Sequence, residues 1–270
     1  TSDRFMMPSL MNEGPFDLTS TSGSVLNLWS KHYAYIAQAN LILERLETNK
    51  EVIDENAGHS ALDKATITGS ATEMLMGEVR FLRAYAYFTL YRYYGGVPLI
   101  IEPTGPKPDY VPRATRQEMF KFLYDEMAYA LDKCLDNRSG IAYGRVTKGA
   151  VAGMLAKMKI FHASYIRRAE MYGNKINETT ADDVDKTTLY ADAVKLCDDI
   201  IAGVYGTYKL EEYFPAVFTK RNNEIMFSVL AEEGVGTGNK IPMGFAGEGK
   251  YGATGGRNLT SWLTLLYDIP

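Results

Sequence analysis

Across most of the first 205 residues, apolar side chains recur at steps of three and four, the spacing that places them on one face of an α-helix. Such a chain must fold largely as packed helices. One segment runs from about Ser24 to Glu47, where Trp29, Tyr33, Ile36, Ala37, Asn40, Leu43 and Leu46 form the stripe. A second runs from about Ala71 to Tyr94, with Leu75, Val79, Leu82, Ala86, Leu90 and Tyr93 in line, and stops at Gly95 and Gly96.

The remaining helices announce themselves by their caps. After a Pro-rich connector from Val97 to Pro112, the Thr115 hydroxyl can cap a helix while Glu118 reaches back to complete a capping box. Its stripe is Met119, Phe122, Leu123, Glu126, Met127, Ala130 and Cys134, with Glu126 the single polar interruption. Thr147 can cap a fourth helix carrying Ala150, Met154, Leu155, Met158, Phe161 and Tyr165, and a fifth spans about Tyr190 to Ala202. Helix pairs that cannot cover their apolar faces alone stabilise by stacking on neighbours, as in tetratricopeptide arrays. No clean repeat of about 34 residues is present, so the expected array is irregular, with lengthened connectors. The fold class is therefore mainly α: tetratricopeptide-like hairpins over 24–205, irregular loops and minor β structure.

Beyond Tyr205 the texture changes. Glu224 to Leu230 reads as a short buried strand, and nine glycines fall among the 23 residues from Gly234 to Gly256. A glycine-rich loop of that length in a compact domain is functional or disordered. Gly247, Gly249 and Gly252 match the spacing of a dinucleotide fingerprint, but no helix follows them. The stretch from Gly234 to Lys240 lacks both the spacing of a phosphate loop and the Ser or Thr after its lysine.

Composition removes further classes. The 29 Lys plus Arg against 33 Asp plus Glu leave a charge of -4, so the basic excess that nucleic acid binding requires is missing. Apolar stretches fall short of the ~20 residues that span a bilayer. Cys134 and Cys197 both sit at apolar helical positions and read as buried thiols. His32, His59 and His162 are far apart and form no zinc motif, and neither a metal nor a cofactor is expected. The adjacent acids Asp198 and Asp199, and Glu211 and Glu212, point to different sides of a helix rather than across a glycosidic bond, and read as solvated surface.

The aromatic content points toward sugar. The 19 Tyr, 11 Phe and 2 Trp offer flat apolar faces with polar edges, suited to pyranose rings. Tyr85, Tyr87, Phe88, Tyr91, Tyr93 and Tyr94 lie at helical spacing and read as helix packing. The rings on irregular segments, Phe5, Phe16, Phe245 and Tyr251, are the better ligand candidates, because loops on a rigid scaffold commonly carry binding groups. Arg257 and Asn258 join them as hydrogen-bonding partners.

The block from Gly77 to Leu99, with Glu78, Arg80, Arg83, Tyr85, Tyr87, Phe88, Gly95, Gly96, Pro98 and Leu99, closely resembles the most recognisable block of the SusD/RagB family. Upstream, Trp29, Tyr33, Ile36, Ala39 and Asn40 are similar to the family's Trp/Tyr/Ile/Ala-Asn helix. Downstream the family's landmarks keep their order through PRATRQEM, GRVTKGAVAGMLAKM, YADAVKLCDDII and NNEIMFSV, so the resemblance covers essentially the whole chain. Arg80 and Arg83, one turn apart beside Glu78, are expected to tie adjacent helices together rather than touch ligand.

The resemblance implies an outer-membrane, cell-surface lipoprotein without catalytic residues, which presents oligosaccharide to a SusC-like TonB-dependent transporter. In some members the ligand is peptide. It also implies that the tetratricopeptide-like helices face the transporter while an aromatic arc on loops holds the sugar. Family members are roughly twice as long, so the chain is expected to be one SusD-like domain over 1–270, truncated at both ends, with 206–270 the loop-rich start of a C-terminal part. The signal peptide, lipidated cysteine and much of the C-terminal half are then expected to lie outside it. Helix pairs alone would also permit a tetratricopeptide scaffold that binds a protein segment.

Overall fold

The computed structural model describes residues 23–57, 70–103, 111–136, 144–173, 184–213, 217 and 222–228. The chain separates into two compact units, Thr1–Trp29 with Val229–Pro270, and Ser30–Ser228. Of the first, residues 23–29 are described, as the opening turns of a helix. Among the described residues the helices are α1 Gly23–Thr48, α2 Lys50–Asn56, α3 Ala71–Tyr94, α4 Arg116–Lys133, α5 Lys148–Tyr172 and α6 Lys186–Ile201.

Side-chain caps set several of these boundaries. Ser70 Oγ accepts from the Glu73 N–H at 3.1 Å to open α3. Asp54, at the end of α2, accepts from the Thr72 N–H at 2.9 Å and so places its charge at the positive end of α3. Thr115 and Glu118 form the anticipated capping box of α4: Thr115 Oγ1 accepts from the Glu118 N–H at 3.2 Å, and Glu118 Oε2 from the Thr115 N–H at 2.8 Å. Thr147 caps α5 by accepting from the Ala150 N–H at 3.2 Å. α3 ends at Gly95, whose φ of 69° is a left-handed conformation that glycine reaches without a Cβ clash.

Cross-helix pairs show how successive helices run. Between α3 and α4, Met76 meets Tyr129, Arg83 meets Glu126 and Tyr91 meets Phe120. Between α5 and α6, Glu170 meets Lys186, Ser164 meets Tyr190 and Lys159 meets Asp192. In both sets one number rises as the other falls, so each pair is an antiparallel hairpin, and α4 also packs on α5. The core between them is aromatic. Tyr87, Phe88 and Tyr91 of α3 stand edge-on to Phe122, Phe161 and Phe120 at centroid distances of 5.2, 5.4 and 5.2 Å. Each fully buried ring contributes on the order of 1.5–3 kcal/mol.

Several expectations change in detail. α2 was not foreseen, and α6 begins at Lys186 rather than near Tyr190, because Asp185 caps it through the Thr187 N–H at 3.0 Å. On α1 the buried face passes through Ala39, and Ala37 is exposed. On α3, Leu82 and Tyr93 lie outside the buried stripe, because the helix is covered on the face of Phe81, Ala84, Phe88 and Tyr91 instead. Of its tyrosines, Tyr87 and Tyr91 pack inside as expected, whereas Tyr85 and Tyr93 are 45% and 60% exposed. Cys134 is buried but Cys197 is exposed, since α6 turns Leu189, Ala193 and Leu196 inward and Cys197 lies about 100° round from Leu196.

The expected strand at Glu224 to Leu230 is irregular over its described residues, 224–228. Asn222 Oδ1 accepts from the Glu224 and Ile225 N–H groups at 3.0 and 3.3 Å, and this side-chain turn bends the backbone where a ladder would begin. β structure among the described residues is an isolated bridge between Leu135 and Thr147. The architecture is thus mainly α.

Candidate functional site

The frame is locked by a buried ionic network. Glu126, 4% exposed, accepts from Arg83 Nε at 2.7 Å and lies 3.5 Å from Arg80 Nη1. Arg83 Nη1 also donates to Asn40 Oδ1 at 2.8 Å, joining α1, α3 and α4. Arg80 lies over the Tyr129 ring at 4.0 Å. Glu78 pairs with Arg145 instead, at 2.6 and 2.9 Å, fastening α3 to the start of α5. The arginines therefore bind helices together, as their spacing suggested, and Glu126 is their partner rather than a flaw in the stripe.

The same network holds the extended segment that leaves α3. Asn40 Nδ2 donates to the Ile100 carbonyl at 2.8 Å, and the Tyr33 hydroxyl to the Pro98 carbonyl at 2.8 Å. Tyr87 Oη donates to the Ile100 carbonyl at 2.9 Å and accepts from its N–H at 2.8 Å. Burial of the phenol pushes the Tyr87 pKa up to about 12. Residues 97–103 are thus pinned to the array by side chains rather than by a ladder.

Two concavities accompany this frame. The first is a polar crevice of about 50 Å³ beside the start of α5, lined by Arg145, Thr147, Thr207, Tyr208, Asn222 and Ser228 among others. That is room for little more than one water of about 30 Å³. Ser228 Oγ is buried there without a hydrogen-bond partner among the described residues. Tyr208 lies directly over Gly149, where any Cβ would overlap its ring, and its hydroxyl is 2.9 Å from Thr147 Oγ1. Burial raises the Tyr208 pKa.

The second is a pocket of about 240 Å³ between α4 and α5, lined by Gln117, Phe120, Lys121, Tyr124, Asp125, His162 and Val184. His162, 2% exposed, stacks parallel to Phe120 with centroids 3.8 Å apart. Its Nδ1 lies 2.9 Å from Tyr124 Oη, which fixes both rings. Lys159 sits 4.7 Å above the Tyr124 ring and is held by Asp192 at 2.7 Å.

Phe5, Phe16, Phe245, Tyr251, Arg257 and Asn258, expected to hold the ligand, lie outside the described residues. None of the residues lining the α4–α5 pocket was singled out for ligand from sequence. The polar row Gln117, Lys121 and Asp125, recurring every four residues beside the apolar stripe of α4, is the ordinary solvated face of an amphipathic helix and carries no signal for the pocket. Asp199, one of the paired acids, is tied to Lys195 at 2.7 Å, the surface role expected of it. Among the described residues no group of three His, Cys, Asp or Glu side chains comes together as a metal site. No described helix is long and apolar enough to cross a membrane.

Comparison with known proteins places this architecture. A curated SusD-like protein of Bacteroides ovatus is 25% identical over 191 residues, 67% of this chain and 32% of that protein. The crystal structure of a SusD-like protein from Bacteroides fragilis superposes with a TM-score of 0.57 at 20% identity, over 81% of this chain and 36% of the other. A structure solved with a xylogluco-oligosaccharide superposes with a TM-score of 0.54 at 21% identity, over 75% of this chain and 34% of the other. The chain thus spans about a third of the length of these relatives. Residues 3–160 match the SusD-like family described as starch-binding and associating with the outer membrane, and with more than half of its length so matched the chain belongs to that family.

Proposed function

We propose that the protein carrying this chain holds glycan at the outer surface of a Gram-negative cell and hands it, chemically unchanged, to a SusC-like TonB-dependent transporter. The observation that carries this reading is the match of residues 3–160 to a family described as starch-binding and associating with the outer membrane. The relative solved with a xylogluco-oligosaccharide supports a glucan as ligand class. The cross-tied array supports the division of labour that sequence suggested: helices over 24–205 as a rigid frame, and Phe5, Phe16, Phe245, Tyr251, Arg257 and Asn258 on irregular segments as ligand contacts. Attachment is through an N-terminal lipid anchor.

Calorimetric titration of the full-length protein with malto- and xyloglucan oligosaccharides tests the reading. Saturable binding, recovery of the oligosaccharide intact, and co-purification with a large outer-membrane barrel are the expected results. Replacing Phe245 and Tyr251 together with Ala should weaken binding. Saturable binding of peptides with no response to any glucan would reassign the ligand, and release of shortened sugars would end the non-catalytic reading.

A further inference from the structure

Two stretches that follow α6 converge on one oxygen at the start of α5. Thr147 Oγ1 accepts from the Ala150 N–H as the helix cap, lies 2.9 Å from Tyr208 Oη, and donates to the Met226 carbonyl at 3.4 Å. A hydroxyl has one proton and a carbonyl can only accept, so Thr147 gives its proton to Met226 and the tyrosine O–H donates to Thr147. The relay from Tyr208 through Thr147 to Met226 thus ties residues 205–211 and residues 222–228 to the helix through a single group. We infer that these two stretches are the legs of one clasp, which lets go of α5 and closes on it as a unit, with the Thr147 hydroxyl as its latch.

The seat for both legs is a shallow groove that α5 leaves by carrying glycine at two positions one turn apart. The Tyr208 ring fills the space over Gly149, and Met226 Sδ lies 3.4 Å from where a Cβ on Gly153 would stand. Beside it Phe227 stands edge-on to Phe81 of α3, with centroids 5.5 Å apart. The legs are also joined to each other: the Lys209 N–H donates to the Asn223 carbonyl at 3.3 Å, and the Glu211 N–H to the Glu224 carboxylate at 2.8 Å. Losing one leg therefore weakens the bonds that hold the other, and a half-open clasp gains little. Lys209, Leu210, Glu212, Tyr213, Asn223 and Phe227 are exposed, and a segment with few buried contacts opens at lower cost than a helical core. At the foot of the first leg, Gly203 and Gly206 hold φ at 77° and 113°, positive values that favour glycine. Rotation about this turn frees the clasp and leaves α6 intact.

Amide hydrogen exchange on the full-length protein tests the clasp. Lys209 and Glu211 report the bonds between the legs, and Glu224 and Ile225, which both donate to Asn222 Oδ1, report the second leg alone. In the wild type the four amides should share one opening free energy, lower than that of amides in the middle of α5. Tyr208→Phe removes one hydroxyl from the first leg and keeps its ring over Gly149. Exchange at Glu224 and Ile225 should then quicken by about fivefold, the same factor as at Lys209 and Glu211, while the middle of α5 holds. Thr147→Val should quicken both legs as well, and Thr147→Ser, which keeps the hydroxyl, should restore the wild-type rates. If Thr147→Val does not fold, Tyr208→Phe decides alone. Faster exchange confined to Lys209 and Glu211 in Tyr208→Phe would mean that the legs move independently, and would overturn the clasp. Exchange of all four amides only through global unfolding, read from its denaturant dependence, would overturn it too.

Discussion

Arg83 and Glu126 meet at 2.7 Å across the α3–α4 hairpin, both nearly sealed from solvent, with Asn40 of α1 closing the other side of the guanidinium. A buried ion pair returns little against apolar packing, yet removing one partner strands the other charge. Glu126→Ala should therefore destabilise the helical unit by about 3–5 kcal/mol in denaturant unfolding. The double change Arg83→Met with Glu126→Leu should recover part of that loss, because it replaces both charges of the pair by apolar volume while Arg80 loses its carboxylate and Asn40 Oδ1 its donor. Equal loss in the single and double variants would show that the site serves through packing rather than charge.

Gly149 carries a sharper steric constraint. Tyr208 occupies the space where its Cβ would stand, and Gly149 lies inside the first turn of α5, where backbone movement is costly. Gly149→Ala should cost about 1–3 kcal/mol through overpacking. Adding Tyr208→Ala should relieve that strain, so the loss caused by Gly149→Ala is smaller in the Tyr208→Ala background than in the wild type. Additive effects in the double-mutant cycle would refute the contact.

Local chemistry was legible wherever a side chain acts on its own helix end. Thr115 with Glu118 and Thr147 marked the starts of α4 and α5 because a cap is a three-residue event readable in sequence. α2 escaped because it has seven residues and its N-cap, Asn49, makes no side-chain cap bond. The α3 stripe was misplaced for the opposite reason: a helix packed by several neighbours buries a wide arc, and periodicity alone could not say which edge of that arc, Leu82 or Phe81, stays dry. The α4–α5 pocket depends on which face of α4 meets His162, a tertiary fact that the row Gln117, Lys121 and Asp125 does not encode.

Acid should loosen the junction between α2 and α3. Burial alone would raise the Asp54 pKa, but bonds from the Thr72 N–H and the Ser70 and Thr72 hydroxyls, with Lys50 nearby, hold it below the ordinary 3.8. A carboxyl with a depressed folded value adds stability above its unfolded pKa and loses it as pH falls through the folded one. Asp54→Asn should therefore destabilise at neutral pH and flatten the acid limb below about pH 4, where the wild type protonates. Parallel acid limbs for the two proteins would sink the assignment.

Exposure separates the two thiols in a way that reagents can read. Cys197 stands on the outer side of α6, whereas Cys134 closes the end of α4 inside the core, beside Gly77. A thiol-reactive dye should modify Cys197 rapidly in the folded protein and Cys134 only on unfolding. Cys197→Ser should abolish the rapid phase, and a rapid phase that survives the change would place an accessible thiol elsewhere.

Alkali should act through Tyr87. Its phenol is fully buried and both bonds it makes go to Ile100, so burial lifts its pKa from 10.0 to about 12. The unfolded chain then ionises first. Stability from this group is complete below about pH 10 and disappears as pH rises through the folded value, a change of about 3 kcal/mol. Tyr87→Phe keeps the ring packed against Phe122 but removes the ionisable hydroxyl, so it should cost about 1 kcal/mol at neutral pH and flatten the alkaline limb. Because the lost bonds pin residues 97–103, hydrogen exchange at the Ile100 amide should quicken in the variant while amides in the middle of α3 hold. If exchange at Ile100 is unmoved, the tyrosine does not anchor the segment, and its raised pKa reflects burial without that structural role.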